Sequence, residues 1–297
     1  MQTASHVHRI RECCPDLHIQ SVRPVEEGKV NDVLVINEAL VFRFPKSDDG
    51  VRQLLTELAV LQALRGHVTL PIPDPIYTSA GAPTGGEAFA GYSLIHGEPL
   101  RDHVERLKAA EDSRRLAIAV QLASFMRELH SVPVAGSGLP AHDAGRRESL
   151  PTFLEQVRQQ LFPHVDTNTQ RLVLDEFESY LSDEQNFTYQ RVLRHGDLGP
   201  GNVLLDPQTQ AVSGIIDFGS AGLDDPAADL GFVALWGGHL FGPSFVEHLL
   251  RRYPVSESEA LRRRIRFFRL VIALHVALGG LQNQSREDLE FGLSQIH

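Results

Sequence analysis

The stretch "HGDLGPGNVL", His195 to Leu204, followed after a turn by "IIDFG", Ile215 to Gly219, decides how this chain is read. Asp197 stands before a Gly199-Pro200-Gly201 turn, and Asn202 leads into an apolar run. A second apolar run ends in another acid, Asp217. Val203–Leu205 and Gly214–Asp217 read as two strands that pair across a turn spanning Asp206 to Val212. The question posed is whether Asp197, Asn202 and Asp217 meet in space, and over what.

Phosphoryl transfer from a nucleotide supplies one answer. Its catalysis is mostly positioning and charge neutralisation, so it needs Mg²⁺ and oxygen ligands to hold the ion. It also needs a carboxylate within hydrogen-bond reach of the attacking hydroxyl. In that reading Asp197 faces the acceptor hydroxyl, while Asn202 and Asp217 offer oxygens to the metal. The bland alternative makes Asp197 a turn acid and Asn202 a strand-edge amide.

Working outward, the residues before this motif divide in two. The first hundred read as strand-rich. "VNDVLVINEALVFRFP", from Val30, gives two apolar runs around Asn37-Glu38-Ala39, a hairpin signal. Period-two alternation sets Val41 and Arg43 on one face and Phe42 and Phe44 on the other. "QLLTELAVLQAL" from Gln53 has helical spacing, Pro71, Pro73 and Pro75 force an extended segment, and a Gly/Pro-rich turn covers Gly81 to Gly86. "AFAGYSLI" then reads as a strand running into a linker, "HGEPL". From about Arg101 the pattern turns helical, with "SRRLAIAVQLASFMRELH" strongly amphipathic. "PTFLEQVRQQLF" and "TQRLVLDEFESYL" read as further helices, and Ser256 with Glu259 matches a capping box in the tail. The expectation is α+β: a small β-rich lobe over 1–97 and a larger, mostly helical lobe over 98–297.

Composition narrows the partners. The chain has 297 residues, 42% apolar and 22% charged, which is ordinary for a soluble globular protein with an ample core. A formal net charge of −10 argues against nonspecific nucleic-acid binding and suits a cationic small ligand. Cys13 and Cys14 are adjacent and offer no disulfide framework. The start lacks the apolar core of a signal peptide, and "LVIALHVALGGL", from Leu270, is short for a bilayer span. The expectation is cytoplasmic, with no membrane partner, as a monomer or weak dimer.

These motifs resemble the signature of the aminoglycoside phosphotransferase and choline kinase superfamily, a branch of the protein-kinase-like fold. H-G-D-x-x-x-x-N followed by D-F-G carries the likeness. "DPAADL", Asp225 to Leu230, is similar to the segment that follows in the family, where Asp229 would support the catalytic loop from below. "LASFMRELH", ending at His130, extends the likeness over most of the chain. The resemblance implies a two-lobed kinase-like fold, ATP or GTP as phosphoryl donor, Mg²⁺ as cofactor and a small hydroxyl-bearing acceptor. It makes Asp197 the base, Asn202 and Asp217 metal ligands, and His195 an architectural loop residue. It also implies that the N-terminal lobe holds the nucleotide. In kinases a strand lysine meets the phosphates and pairs with a helix glutamate; here Arg43 and Glu57 take those positions. The departure is arginine for lysine, whose fork differs from an ammonium. Lys46 is the rival, past Pro45. The loop "EEGKVND", with only Gly28, would arch over the phosphates. "FAGYSLIHGEPL" resembles the inter-lobe hinge, so the backbone of Ser93, Ile95 and His96 would bind the base edge and Tyr92 would control access behind it.

The wording resembles the aminoglycoside 2″-phosphotransferases most, some of which use GTP and carry a bulky residue at the Tyr92 position. Yet "GFVALWGGHLFGPSF", Gly231 to Phe245, has no acid where enzymes acting on polycations place them. Trp236, Phe241 and Phe245 would instead form an apolar wall, though for Trp236 a place in the core is the preferred reading. An aminoglycoside-type antibiotic kinase is the first reading. A kinase for macrolides or metabolite alcohols (choline- or homoserine-like) is the second, and a catalytically silent nucleotide-binding module the third. "RRRIRFFR", from Arg262, is read as a solvated helix face, and His239 and His275 as core histidines.

Overall fold

Alternating side chains build the N-terminal sheet. The computed structural model describes residues 2–25, 30–79, 88–141, 147–253 and 258–296. Helix α1 (Gln2–Cys13) precedes strands β1 (Val22–Val25), β2 (Asn31–Ile36) and β3 (Leu40–Pro45). Helix α2 (Asp48–Leu64) follows, then β4 (Pro75–Thr78) and β5 (Ala90–Ser93). The strands lie in the order β1-β2-β3-β5-β4, every neighbouring pair antiparallel. Asn37 and Glu38 both take positive φ, 56° and 49°, the backbone a tight hairpin requires. Phe42 and Phe44 are buried with Ile10, Leu34 and Phe89 under α1, which leaves Arg43 on the opposite face. The sequence reading gave α1 no helix; its apolar stripe is thin, and His6, stacked on Phe44 at 4.0 Å, completes the contact.

Helix α2 starts where Ser47 accepts the Gly50 N–H at 3.2 Å, with Asp48 and Asp49 favouring the positive end of the helix dipole. Its buried face runs through Val51, Leu54, Glu57, Leu61 and Leu64. An acid thus sits inside an apolar stripe and needs a partner.

The C-terminal lobe begins with β6 (Glu98–Pro99), α3 (Val104–Ala109) and α4 (Asp112–His130). It continues through α5 (Leu150–Gln160), α6 (Thr167–Ser182), β7 (Val192–Arg194), β8 (Val203–Leu205), β9 (Val212–Ile215) and β10 (Gly222–Asp224). Helices α7 (Pro226–Phe241), α8 (Pro243–Arg252), α9 (Glu259–Gln282) and α10 (Arg286–Ser294) complete it. Two small sheets, β6-β8-β9 and β10-β7, frame the loops that carry the motif. The architecture is α+β and two-lobed, with β6 already part of the second lobe's sheet. The segment after α2 also touches that lobe. Thr69 donates its N–H to Glu128 of α4 at 2.7 Å, and Pro71 O accepts the Ile215 N–H at 2.9 Å.

Several expectations shift. Strand β9 stops at Ile215, so Asp217 lies beyond it in the loop. Helix α9 is capped by Ser258, which accepts the Leu261 N–H at 3.4 Å; Ser256 lies outside the described residues, as do Gly28 and Gly81 to Gly86. The arginine run is only partly solvated, because Arg264 is buried against Asp225 at 2.7 Å. His239 and His275 sit at the surface, edge-on to Phe291 and stacked on Phe153 respectively. Helix α9 is long and apolar enough, by length and composition, to cross a membrane. Its Phe267, Phe268, Leu270, Leu274 and Ala277 are buried within the fold.

Candidate active site

A one-residue turn aims Asp217. Its φ of 68° is uncommon for a residue with a side chain, though aspartate tolerates it better than most. The β8–β9 register pairs Val203 with Ile215, and Ile216 N–H bonds Asn202 O at 3.0 Å. The hairpin therefore sets Asn202 beside the Asp217 turn. From the other side the Asn202 amide nitrogen donates to Asp197 O at 2.8 Å and to Asp197 Oδ2 at 3.0 Å. That orientation leaves the Asn202 amide oxygen for other partners. Asp197, Asn202 and Asp217 are thus brought together at the ends of the β8–β9 hairpin.

Asp197 is exposed to solvent. Desolvation first, and then the charge of Asp217, push its pKa up, while the Asn202 hydrogen bond opposes them. A raised carboxylate is a better proton acceptor.

The loop around Asp197 is fixed by buried groups. His195 is fully buried, and desolvation holds its pKa down, so it is a neutral imidazole. Its Nδ1 accepts the Asp197 N–H at 3.2 Å, and its Nε2 lies 3.2 Å from Ile216 O, where only a donor makes sense. Asp229, on the first turn of α7, accepts the backbone N–H of His195 at 2.7 Å and of Gly196 at 3.0 Å. Burial alone would raise Asp229, but the hydrogen bond from His130, helped by the charge of Arg194, holds it well below the usual carboxylate range. Gly196 has φ 84°, and a Cβ there would fall 2.1 Å from Ser220 O. Only glycine fits.

On the other wall, Arg43 Nη1 meets Glu57 at 2.7 Å and its Nη2 meets Asp217 at 3.1 Å. One guanidinium fork thus joins α2 to the Asp217 loop across the cleft. Burial opposes its charge, but the Glu57 and Asp217 carboxylates outweigh that and keep it protonated. Glu57 is 1% exposed, and burial pushes its pKa up even beside the arginine. Tyr92, opposite Val41 on β5, is buried with its hydroxyl toward Glu57. Desolvation and that carboxylate raise its pKa far above the phenol range. Lys46 is accounted for elsewhere, 3.2 Å from Asp32. Along the crossing between lobes, Leu94 N–H is spent on Ala39 O at 2.8 Å, while Ser93 and His96 are exposed and Ile95 half-buried.

The apolar wall needs correction. Trp236 and Phe245 are buried, and the Trp236 indole donates to Leu198 O at 2.9 Å, so it braces the loop from beneath. Phe241 packs against both rings. Phe232, half-buried, lies near Gly199 of the motif loop: a Cβ built there would fall 3.6 Å from its ring and 3.7 Å from Asp197 Oδ1. The helical spacing 229, 232, 236 put these side chains on the loop-facing side of α7, a signal that sequence reasoning passed over.

Among the described residues no cluster of three His, Cys, Asp or Glu forms a metal centre. The oxygens of Asp217 and Asn202 are hard donors of the type Mg²⁺ prefers when substrate phosphates and water complete its shell. These residues fit that ion.

Comparison with known proteins follows the same line. A profile of a phosphotransferase enzyme family matches residues 21–268. The chain is 29% identical over 183 residues to an aminoglycoside 3'-phosphotransferase of Streptomyces fradiae, covering 57% of this chain and 64% of that protein, so it spans less than two thirds of that relative. It is 29% identical over 279 residues to viomycin phosphotransferase of Streptomyces vinaceus, covering 91% of each. Among solved structures, the GDP complex of aminoglycoside 2'-phosphotransferase-IIIa superposes with a TM-score of 0.81 at 28% identity, covering 100% of this chain and 97% of that one. A macrolide 2'-phosphotransferase type I shares the fold, with a TM-score of 0.71 at 20% identity over 99% of this chain and 96% of that one.

Proposed function

Because the chain belongs to the phosphotransferase enzyme family, we propose that it transfers the terminal phosphoryl group of ATP or GTP to a hydroxyl of a small molecule, an aminoglycoside-type antibiotic first. The convergence of Asp197, Asn202 and Asp217 opposite the Arg43–Glu57 pair carries this reading.

The acceptor oxygen attacks the terminal phosphorus, the bond to the bridging oxygen breaks, and the nucleoside diphosphate leaves. The hydroxyl proton passes to the Asp197 carboxylate, which Asn202 holds in place. Arg43 offers its fork to phosphate oxygens, and Glu57 keeps that fork directed into the cleft. Mg²⁺, held by Asp217 and Asn202, would neutralise phosphate charge when bound. Phosphoryl transfer asks the protein mainly for such placement. The Ser93–His96 backbone is the proposed seat of the base edge. Tyr92 behind it, together with a GDP-bound relative at 28% identity, puts GTP beside ATP as a donor to be tested.

Acceptor choice has two readings. The aminoglycoside reading rests on the relatives, one of which was solved with kanamycin at 29% identity. The less cationic acceptor, a macrolide or other bulky alcohol, is favoured by the acid-free stretch from Gly231 to Phe245, whose Phe232 lies near Gly199 of the Asp197 loop. A catalytically silent module is the remaining alternative. Nucleotide turnover with an acceptor panel separates them. Stimulated turnover that Asp197→Ala abolishes, with nucleotide binding intact, is the expected result. A variant as active as its parent overturns the mechanism. Protection of a sensitive bacterium against macrolides but not aminoglycosides would select the second acceptor.

A further inference from the structure

The loop that presents Asp197 is held through a chain of buried polar groups ending far from the cleft. Asp229 receives, besides the two backbone N–H groups, the Nε2 of His130 at 3.2 Å. His130 closes α4, and its side chain is 3% exposed. Its Nδ1 lies 2.6 Å from the hydroxyl of Tyr253, a buried residue just past the end of α8, with the rings edge-on at 5.6 Å. We propose that Tyr253 is a positioning residue for Asp197, acting by fixing the tautomer of His130.

The partners dictate where each proton goes. Asp229, ionised and already accepting two N–H groups, can only accept from His130, so Nε2 carries hydrogen. A neutral ring then has a bare Nδ1, which the Tyr253 O–H fills as donor. Burial, and the charges of Asp229 and Asp225, keep that phenol protonated. If the ring turned or moved its proton to Nδ1, Asp229 would face a lone pair. The carboxylate would then swing away from the His195 and Gly196 N–H groups, and Asp197 would drift with the loop. Near-attack geometry is sensitive to drifts of that size. No atom of Tyr253 contributes to the Asp197 site directly; its effect reaches the loop through three helices.

This inference rests on the proposed function only for its kinetic readout. The test compares the parent with Tyr253→Phe, His130→Gln and the double variant. Turnover of ATP and GTP is followed with kanamycin, then erythromycin, as acceptor. The tautomer of His130 is read from ¹⁵N imidazole shifts. Tyr253→Phe should lower kcat about tenfold, as loss of one buried hydrogen bond in a positioning network does. It should leave the nucleotide KM within about twofold, a split that simple loosening of the fold would not give. His130 should pass from the Nε2–H form to a mixture, and the double variant should lose no more than His130→Gln alone. Three results overturn the proposal: an Nδ1–H ring in the parent, a Tyr253→Phe enzyme with parental kcat, or lost kcat with an unchanged tautomer. If neither acceptor supports turnover, the functional reading fails while the tautomer measurement still decides the relay. A Tyr253→Phe protein that does not fold leaves the parent's own tautomer as the deciding observation.

Discussion

Arg43 stands where protein kinases place a strand lysine, and its fork has two jobs at once. One nitrogen neutralises a carboxylate that burial has made costly, and another reaches Asp217 at 3.1 Å. An ammonium is a compact charge and cannot reproduce that span. Arg43→Lys should therefore raise the nucleotide KM by about tenfold with a smaller change in kcat. Arg43→Met, which leaves Glu57 buried without a partner, should also cost about 3–5 kcal/mol of stability by denaturant titration. Asp197 yields a second expectation. Its pKa is raised, so the base form disappears as pH falls through a value above that of an ordinary carboxylate. The acid limb of kcat/KM should follow that value. In metal-free protein, Asp217→Asn removes a like charge and should lower the Asp197 titration by NMR; an unchanged titration would refute the coupling. Arg43, Glu57, Asp197 and Asn202 were legible because strand alternation and motif spacing act locally. The positive φ that aims Asp217, and the approach of Phe232 to Gly199, were not, since both depend on what the neighbouring loop and helix leave open.

At the scale of elements, most hydrogen bonds of the loop from His195 to Gly201 are made by its backbone groups rather than its side chains. Gly196→Ala is the sharpest probe. A methyl 2.1 Å from Ser220 O at a φ of 84° forces the loop off Asp229. Transfer should fall by about a hundredfold or more, with a lower melting temperature, whereas Gly136→Ala, at φ 71° with nothing within 4 Å, should leave transfer at the parental level. The long helices were legible from their spacing. The three-residue strands β7 and β10 were not, because they pair residues 192–194 with 222–224 and neither segment carries a local signal. Trp236 was read as core ahead of wall, and it is buried; the wall reading stayed open because α7 is apolar nearly all round, and such a helix does not announce which side meets substrate. The Ser258 cap was missed by two positions, a typical failing where serines crowd a helix start.

For the whole molecule, ligand binding should report on the division into lobes. A nucleotide that bridges Arg43 and the Asp217 loop binds only the folded arrangement, so it should stabilise the protein by RT ln(1 + [L]/Kd), about 2.7 kcal/mol at a hundredfold excess over Kd. A thermal-shift comparison of ATP and GTP with Mg²⁺ then ranks the donors, and no shift with either would count against the nucleotide reading. The order of strands and helices along the chain conveyed the two-part plan; it did not convey how the parts are joined. Besides the crossing at residues 94–97, the segment after α2 is bonded to α4 through Thr69 and Glu128, and to β9 through Pro71 and Ile215. A body hinged on one strap can wander in every direction, but a second fastening leaves it a single axle to rock about. Two fastenings, one at residues 94–97 and one through Thr69 and Pro71, thus restrict how the two lobes of this protein can move apart.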